Sequence, residues 1–216
     1  MVSIGHPLPP GFLDDQRRRS VMDAVSELAH ERGVSSLTVG DIVTRTRISR
    51  AGFYKLFDDK DDCLRFSCQE AEKRVFDPVR ATLGEPRPWS EQVSDTIAVF
   101  LAETVTAPLL AELCLIHSIS VEGNCGSCVD AGVEALQAAL KGGRTAGREL
   151  RGADYCDPPP RIEELLARGF LFVVASHLRS GRLDTIGDLH AEMVHLCALH
   201  FLGDEPDREL ARANAT

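Results

Sequence analysis

The chain has 216 residues, of which 44% are hydrophobic and 26% are charged, and its formal net charge is −9. This balance is typical of a globular protein of one or two domains and excludes a disordered or fibrous chain. The N-terminus lacks the basic start and the long apolar run of a signal peptide, and the longest apolar stretch, 169–178, is about half of a membrane span. We therefore expect a soluble, cytoplasmic protein that does not contact a membrane.

Positive charge is concentrated in one short part of the chain. Residues 66–216 carry 14 Lys/Arg against 23 Asp/Glu, whereas residues 12–65 carry ten of each. Within 32–57 the net charge is +4, because a single acidic residue faces five basic ones: Asp41 against Arg32, Arg45, Arg47, Arg50 and Lys55. A locally basic element on an acidic body is typical of a protein that meets phosphates with one face.

The first predicted elements are four helices. Val21, Val25 and Leu28 share one face of a helix over about 15–32, which Gly33 ends. Thr38 and Asp41 have the spacing of a capping box and predict a short helix to about residue 46. Ser49 is a good N-cap for a second short helix over 50–57, and a longer helix follows residues 58–59.

The rest of the chain continues the helical pattern, and no alternating strand pattern of useful length occurs. We predict helices at about 90–107, 108–121, 125–141, 161–180 and 184–202, and interpret residues 142–160, with their Gly pair and Pro run, as a loop. The sequence thus predicts an all-α protein of about nine helices. We divide it into a short helical domain over 12–58, a larger helical domain over 59–204, and a polar tail over 205–216.

Two short helices joined by three residues, 47–49, describe a helix-turn-helix. Its small core would be formed by Ile42, Val43, Ile48, Phe53 and Phe57. This leaves the N-terminal side of the second helix free to enter a major groove, with these residues exposed: Arg50, Ala51, Gly52, Tyr54 and Lys55. Small side chains permit close approach to bases, and the hydroxyl and basic groups suit phosphates, with Arg45 and Arg47 as further candidates.

Less specific interpretations also fit these residues. A helix-loop-helix of mixed charge is common in all-α proteins, and Tyr54 could be a core aromatic with an exposed hydroxyl. The basic residues at 17–19 could form a solvated helix start rather than a DNA-binding arm.

The segment 33–64 closely resembles the DNA-binding region of TetR-family regulators. The shared positions are Gly33, Thr38-Val39, Asp41-Ile42, Ile48-Ser49, Tyr54, Phe57 and Lys60-Asp61. The resemblance implies that Thr38, Tyr54 and Lys60 contact phosphates and that residues 49–55, beginning with Ser49, form the base-reading surface. The chain departs from the family pattern at Thr46-Arg47, where the family often has Ala-Gly. The glycine of the family supports a positive φ in the turn. If the backbone of Arg47 is left-handed as well, it costs about 1 kcal/mol. Phe53 is also bulkier than the usual Leu.

The resemblance further implies that 12–58 is a helix-turn-helix DNA-binding domain and that 59–204 is a ligand-binding and dimerisation domain, in which the last two helices form a four-helix dimer interface. The sequence supports this interface independently, because helix 161–180 carries too many apolar residues for burial on one side only: Ile162, Leu165, Leu166, Phe170, Phe172, Val173 and Val174. The last helix has its own apolar stripe at Ile186, Leu189, Met193, Leu196 and Phe201. We therefore expect a homodimer through about 161–180 and 184–202, with burial in a single protomer's core as the alternative.

A pocket for a small-molecule effector would lie among the helices after residue 90. Candidate lining residues mix apolar walls with a few polar groups: Phe100, Thr104, Leu113, His117, Phe170, Val174 and His177. Each of them could equally be ordinary core. We expect no metal and no cofactor.

These features favour a ligand-responsive repressor that a small molecule releases from a palindromic double-stranded DNA operator. An alternative is a thiol- or metal-responsive regulator of the same fold that senses through Cys125 and Cys128, although one C-x-x-C pair is a weak signal. An enzyme is not expected, because the chain shows no nucleophile elbow, phosphate loop or paired metal-ligand motif.

Overall fold

The structure is a computed structural model that describes residues 12–84, 87–121 and 127–203. Within these ranges the chain forms ten α-helices and no strand, which confirms the all-α class. The helices are α1 Phe12–Arg32, α2 Val39–Thr46, α3 Arg50–Tyr54, α4 Lys60–Ala81, α5 Trp89–Thr106, α6 Pro108–Glu112, α7 Ser127–Leu140, α8 Gly143–Arg151, α9 Ile162–Arg179 and α10 Leu189–Phe201.

Helix α4 connects the first three helices to the remainder of the chain. It begins after Asp59, whose side chain accepts a hydrogen bond from the Asp62 backbone N–H at 2.7 Å. It then packs against α1 on one side and against α5, α6 and α7 on the other. The Phe76 ring of α4 stacks on Phe100 of α5 with ring centroids 5.8 Å apart, and a Cβ at Gly132 of α7 would overlap that Phe76 ring. One apolar core therefore runs through both predicted parts of the chain.

The prediction of a loop over 142–160 is wrong for its first half, where α8 lies. The Gly142-Gly143 pair favoured the loop interpretation, because glycine lowers helix propensity, and α8 contains Gly143 and a further glycine, Gly147. In the structure both glycines allow close packing instead, because an added Cβ would overlap the Phe201 ring at Gly143 and the Phe201 carbonyl at Gly147. Helix α8 is thereby fixed against the end of α10.

Several other boundaries differ from the prediction. The predicted helix 108–121 is α-helical only to Glu112, continues as a π-helix over Leu113–His117, which we call the π segment, and ends as a 3₁₀ turn over Ser118–Ser120. Helix α10 begins at Leu189 rather than near 184, because a 3₁₀ turn occupies Leu183–Thr185. Helix α3 ends three residues early, although the Phe57 N–H still donates to the Phe53 carbonyl at 3.0 Å.

Over the described ranges, no single helix has the length and apolarity needed to cross a membrane. Helix α5 and the run 108–120 meet those limits only when they are taken together, and they are bent by 107°.

Candidate nucleic-acid interface

A capping box fixes the start of α2. The Thr38 hydroxyl donates to Asp41 Oδ2 at 2.6 Å and accepts from the Asp41 backbone N–H at 3.2 Å, while the Thr38 backbone N–H donates to Asp41 Oδ2 at 2.9 Å. Arg32 at the end of α1 binds the other carboxylate oxygen at 2.8 Å. The predicted capping pair is confirmed, and it also joins α2 to α1.

These hydrogen bonds lower the pKa of Asp41 from 3.8 to about 2, chiefly through the Thr38 hydroxyl and then through Arg32. Because the folded pKa lies below the unfolded value, the ionised carboxylate stabilises the fold above about pH 4, and this contribution is lost as the pH falls towards 2. Urea unfolding from pH 2 to 5 should therefore show a loss of stability that is smaller in Asp41→Asn. Equal pH dependence of stability in the two proteins would show that the ionised Asp41 carboxylate does not stabilise the fold.

The turn between α2 and α3 contains a left-handed residue. Arg47 has φ 58° and ψ 20°, and it is the one non-glycine residue with positive φ in the described part of the chain. The strain expected from the family comparison at this position is therefore present.

Replacing Arg47 by Gly separates stability from DNA binding. We expect the free energy of unfolding to rise by about 1 kcal/mol, because glycine adopts this conformation without a Cβ clash. Affinity for DNA should fall, because an exposed basic group is removed. Urea unfolding and DNA titration of the same preparation measure both effects, and a destabilised Arg47→Gly protein would contradict the strain argument.

Helix α3 presents one face to solvent and the other to the small core. Ser49 Oγ accepts from the Gly52 N–H at 3.0 Å and so caps the helix. Of the predicted core, Ile42, Phe53 and Phe57 are buried, and two further residues, Val43 and Ile48, are half-buried against them.

The predicted base-reading side of α3 is exposed in the structure. Arg50, Ala51 and Lys55 are exposed, and Gly52 is half-buried. Tyr54 is 54% exposed, so it is not the core aromatic of the alternative interpretation. Its ring meets the Phe53 ring edge to face, with the two centroids 5.4 Å apart.

The ion pairs divide the basic residues of 32–57 into two groups. Arg32 binds Asp41, and Arg45 binds Glu27 at 2.7 Å and Glu31 at 2.8 Å, so both arginines tie α2 and α1 together. Across the described ranges, no ion pair is formed by the other three residues, which are Arg47, Arg50 and Lys55. The charge available to phosphates is therefore gathered around the N-terminal side and the end of α3.

Three further residues were candidates for contact with DNA: Thr38, Lys60 and Arg18. Thr38 is exposed at the start of α2, and Lys60 is half-buried at the start of α4, 3.9 Å from Asp61. Arg18 is not part of a solvated helix start, since it is half-buried and its guanidinium lies over the rings of Phe57 and Phe66 at 4.9 and 5.2 Å.

The predicted effector-binding residues divide into core and surface. The following five are buried in the apolar core: Phe100, Thr104, Leu113, Phe170 and Val174. His177 is half-buried on α9, where its Nδ1 lies 2.9 Å from the Val173 carbonyl oxygen. A cavity between α5, α7 and Phe170 of α9 has a volume of about 10 Å³, which is roughly the space of one water molecule.

His117 has a partner that the sequence did not indicate. Its Nε2 lies 3.2 Å from Glu112 Oε1, and the other oxygen of Glu112 lies 2.7 Å from His30 Nδ1. His30 and Glu112 are 82 residues apart, so no local pattern pairs them.

Helices α9 and α10 leave an apolar face without a partner in the protomer. The most exposed large side chains are Leu165 at 62% and Phe172 at 67%, and the face also includes Val173, Leu196 and Leu199. A groove of about 200 Å³ runs along it between the two helices, and a Cβ at Gly169 in its floor would meet no atom within 4 Å.

The cysteines offer little support for a thiol sensor. Cys128 is buried and its thiol lies 3.4 Å from the Cys68 carbonyl oxygen, whereas Cys125 lies outside the described residues. A hydrogen bond with Cys128, followed by burial, raises the pKa of the Cys68 and Cys114 thiols, and a raised pKa lowers thiol reactivity. In the described ranges no three His, Cys, Asp or Glu side chains are grouped to hold a metal ion.

Comparison with known protein families finds a match in the N-terminal region. Residues 21–65 match the family described as bacterial regulatory proteins, tetR family. This match spans the second half of α1, the helix-turn-helix and the start of α4. No curated protein sequence matches the chain.

Solved structures share the fold across most of the chain at low sequence identity. The regulator FadR from Bacillus subtilis, solved with stearoyl-CoA, has a TM-score of 0.67 and 15% identity, over 87% of this chain and 99% of that one. FadR from Bacillus halodurans has a TM-score of 0.65 and 16% identity, over 83% and 96%. AmtR from Mycobacterium smegmatis has a TM-score of 0.63 and 21% identity, over 97% and 96%.

Proposed function

We propose, from the match of residues 21–65 to the tetR family of bacterial regulatory proteins, that the chain is a homodimeric transcriptional repressor. It binds a palindromic operator through α3, and a small molecule bound among the later helices releases it. A protein with this role acts in the cytoplasm.

The observation that carries the proposal is the surface of α3. Three basic residues without ion pairs among the described residues, Arg47, Arg50 and Lys55, flank in sequence the exposed Ala51 and the half-buried Gly52. The small residues let the helix approach base edges, and the basic groups bind phosphates on either side. The carboxylates of Asp41, Glu27 and Glu31 are paired with Arg32 and Arg45, which reduces their repulsion of DNA phosphates.

The apolar face of α9 and α10 supports the dimer. Five large apolar side chains exposed on two adjacent helices form a patch that a soluble protein normally covers. A second copy covers it under two-fold symmetry, because the same patch then serves both protomers. The symmetry places two α3 helices side by side, which matches two half-sites about one helical turn of DNA apart.

Binding of an effector beside Phe170 requires the core to open there. The cavity at Phe170 holds about 10 Å³, whereas small-molecule pockets measure about 300–1,000 Å³. An effector would therefore bind a rearranged form of the helices more tightly than the form described, and this difference in affinity moves the two α3 helices.

Selection from a random-sequence DNA pool tests the proposed function. The purified dimer should enrich a near-palindrome whose half-site centres lie about 10 base pairs, or a multiple of this, apart. DNA from upstream of the protein's own gene should contain a related site. The selected site then serves to screen effectors, with stearoyl-CoA as a first compound because the Bacillus subtilis neighbour was solved with it. Enrichment of no sequence would contradict the proposal.

A further inference from the structure

The side chains of His30, Glu112 and His117 meet where α1 contacts the end of α6. His30 Nδ1 lies 2.7 Å from Glu112 Oε2, and His117 Nε2 lies 3.2 Å from Glu112 Oε1. His30 belongs to the last turn of α1, and the other two residues belong to α6 and the π segment. One carboxylate thus joins the predicted DNA-binding domain to the predicted effector-binding domain.

Burial makes this carboxylate dependent on its two partners. The Glu112 side chain is 14% exposed and that of His117 18%, whereas that of His30 is 58% exposed. A carboxylate with so little access to water needs donors for its oxygens, and each imidazole supplies one N–H.

The contact between Glu112 and His117 depends on the form of the helix. The two residues are five apart, and in an α-helix of 3.6 residues per turn they would lie about 140° apart around the axis. A π-helix bonds residue i to i+5 and brings such a pair onto one side. The π segment begins directly after Glu112 and ends at His117, so the pair exists because this segment is wound as a π-helix.

The π segment also extends into the core where an effector is expected. Leu113, Cys114 and Leu115 are buried, and the segment packs against α1, α4, α7 and α9. A change in the packing around Leu113 acts directly on the winding of the segment. A single-turn π-helix is a frequent feature of functional sites.

We propose that Glu112 is the positioning residue that couples the effector-binding core to the DNA-binding domain, and that the π segment is its switch. In the π form, His117 holds Glu112 against His30 and fixes α1 in the orientation that binds DNA. When the segment rewinds as an α-helix, His117 turns away, Glu112 loses one donor, and α1 is released. This inference rests on the proposed function.

A set of variants tests the coupling by operator affinity. Glu112→Gln, His30→Ala and His117→Ala should each weaken operator binding about fivefold, at the low end of the range for coupling between sites. Glu112→Gln combined with either histidine substitution should lose no more than Glu112→Gln alone, because all three act through one carboxylate. Additive losses, or full affinity in His117→Ala, would overturn the proposal.

Glu163→Gln is the matched control. The Glu163 side chain is 13% exposed and binds Arg144 at 2.7 Å, so its burial resembles that of Glu112, but its partner is an arginine and it joins α9 to α8 rather than to α1. The control should lose stability without losing operator affinity at protein concentrations where the dimer is intact. An equal loss of affinity in the control would show that Glu112 has a structural role only, and would overturn the proposal.

Hydrogen exchange separates this inference from the proposed function, because it requires no DNA. In Glu112→Gln the backbone amides at the end of α1, residues 27–32, should exchange faster than in the parent protein and in Glu163→Gln. Unchanged exchange there would overturn the coupling even if the parent protein binds an operator. Failure of the parent to bind any DNA would instead overturn the proposed function.

Discussion

Tyr54→Ala is expected to lower affinity for the operator about 30-fold, because each of the two protomers loses about 1 kcal/mol of contact. The Tyr54 side chain is 54% exposed on the face of α3 that carries Ala51 and Lys55, so its hydroxyl can reach a phosphate oxygen when the helix lies in the groove. The fold should be nearly unaffected, since surface substitutions usually change stability by less than about 0.5 kcal/mol. Fluorescence anisotropy with the selected operator measures the change.

Tyr54→Phe is the matched control for the hydroxyl. It keeps the edge-on contact between the ring and Phe53 and removes only the oxygen. We expect it to bind more weakly than the parent protein and more tightly than Tyr54→Ala. Full affinity in Tyr54→Ala, with the circular dichroism of the parent protein, would show that this face of α3 does not meet DNA.

Phe172→Glu is expected to convert the dimer into a monomer and to weaken operator binding by at least about 1,000-fold. The Phe172 side chain is 67% exposed on α9 and would be covered by the partner. Burial of one such side chain in each protomer stabilises the dimer by about 1.5–3 kcal/mol per copy, and a buried unpaired carboxylate adds a further cost. Analytical ultracentrifugation measures the oligomeric state directly.

Leu150→Glu provides the matched control for the dimer. The Leu150 side chain is 51% exposed on α8, so the same kind of change is made outside the face of α9 and α10. It should leave both the dimer and DNA binding intact. A dimer that survives Phe172→Glu would place the interface elsewhere.

The helix-turn-helix was predictable because its signals are local. Thr38 and Asp41 are three residues apart, and so are Ser49 and Gly52, and these pairs form the caps that begin α2 and α3. Helical spacing also separates the buried Ile42 and Phe53 from the exposed side of α3. The strain at Arg47 was expected from a single departure from the family pattern, and the structure shows the left-handed backbone there.

Other features depend on tertiary contacts that no local pattern contains. Arg45 was predicted to contact DNA, and this stays a prediction, but in the structure it binds Glu27 and Glu31 of α1, 18 and 14 residues earlier. Helix α8 was missed because the Gly142-Gly143 pair was interpreted as a break, whereas Gly143 and Gly147 make room for Phe201. The π segment could not be foreseen, since a π-helix and an α-helix share the same residue preferences over so few residues.

The salt dependence of operator binding tests the central claim most directly. The logarithm of the association constant should fall linearly with the logarithm of salt concentration, and Lys55→Ala should reduce that slope by about 2 for the dimer, because each protomer loses one phosphate contact. Lys141, which is exposed beyond α7, provides the comparison: Lys141→Ala should keep the slope of the parent protein. This result would establish that α3 and its flanking residues meet DNA. A slope that Lys55→Ala leaves unchanged, or binding that does not respond to salt, would contradict it.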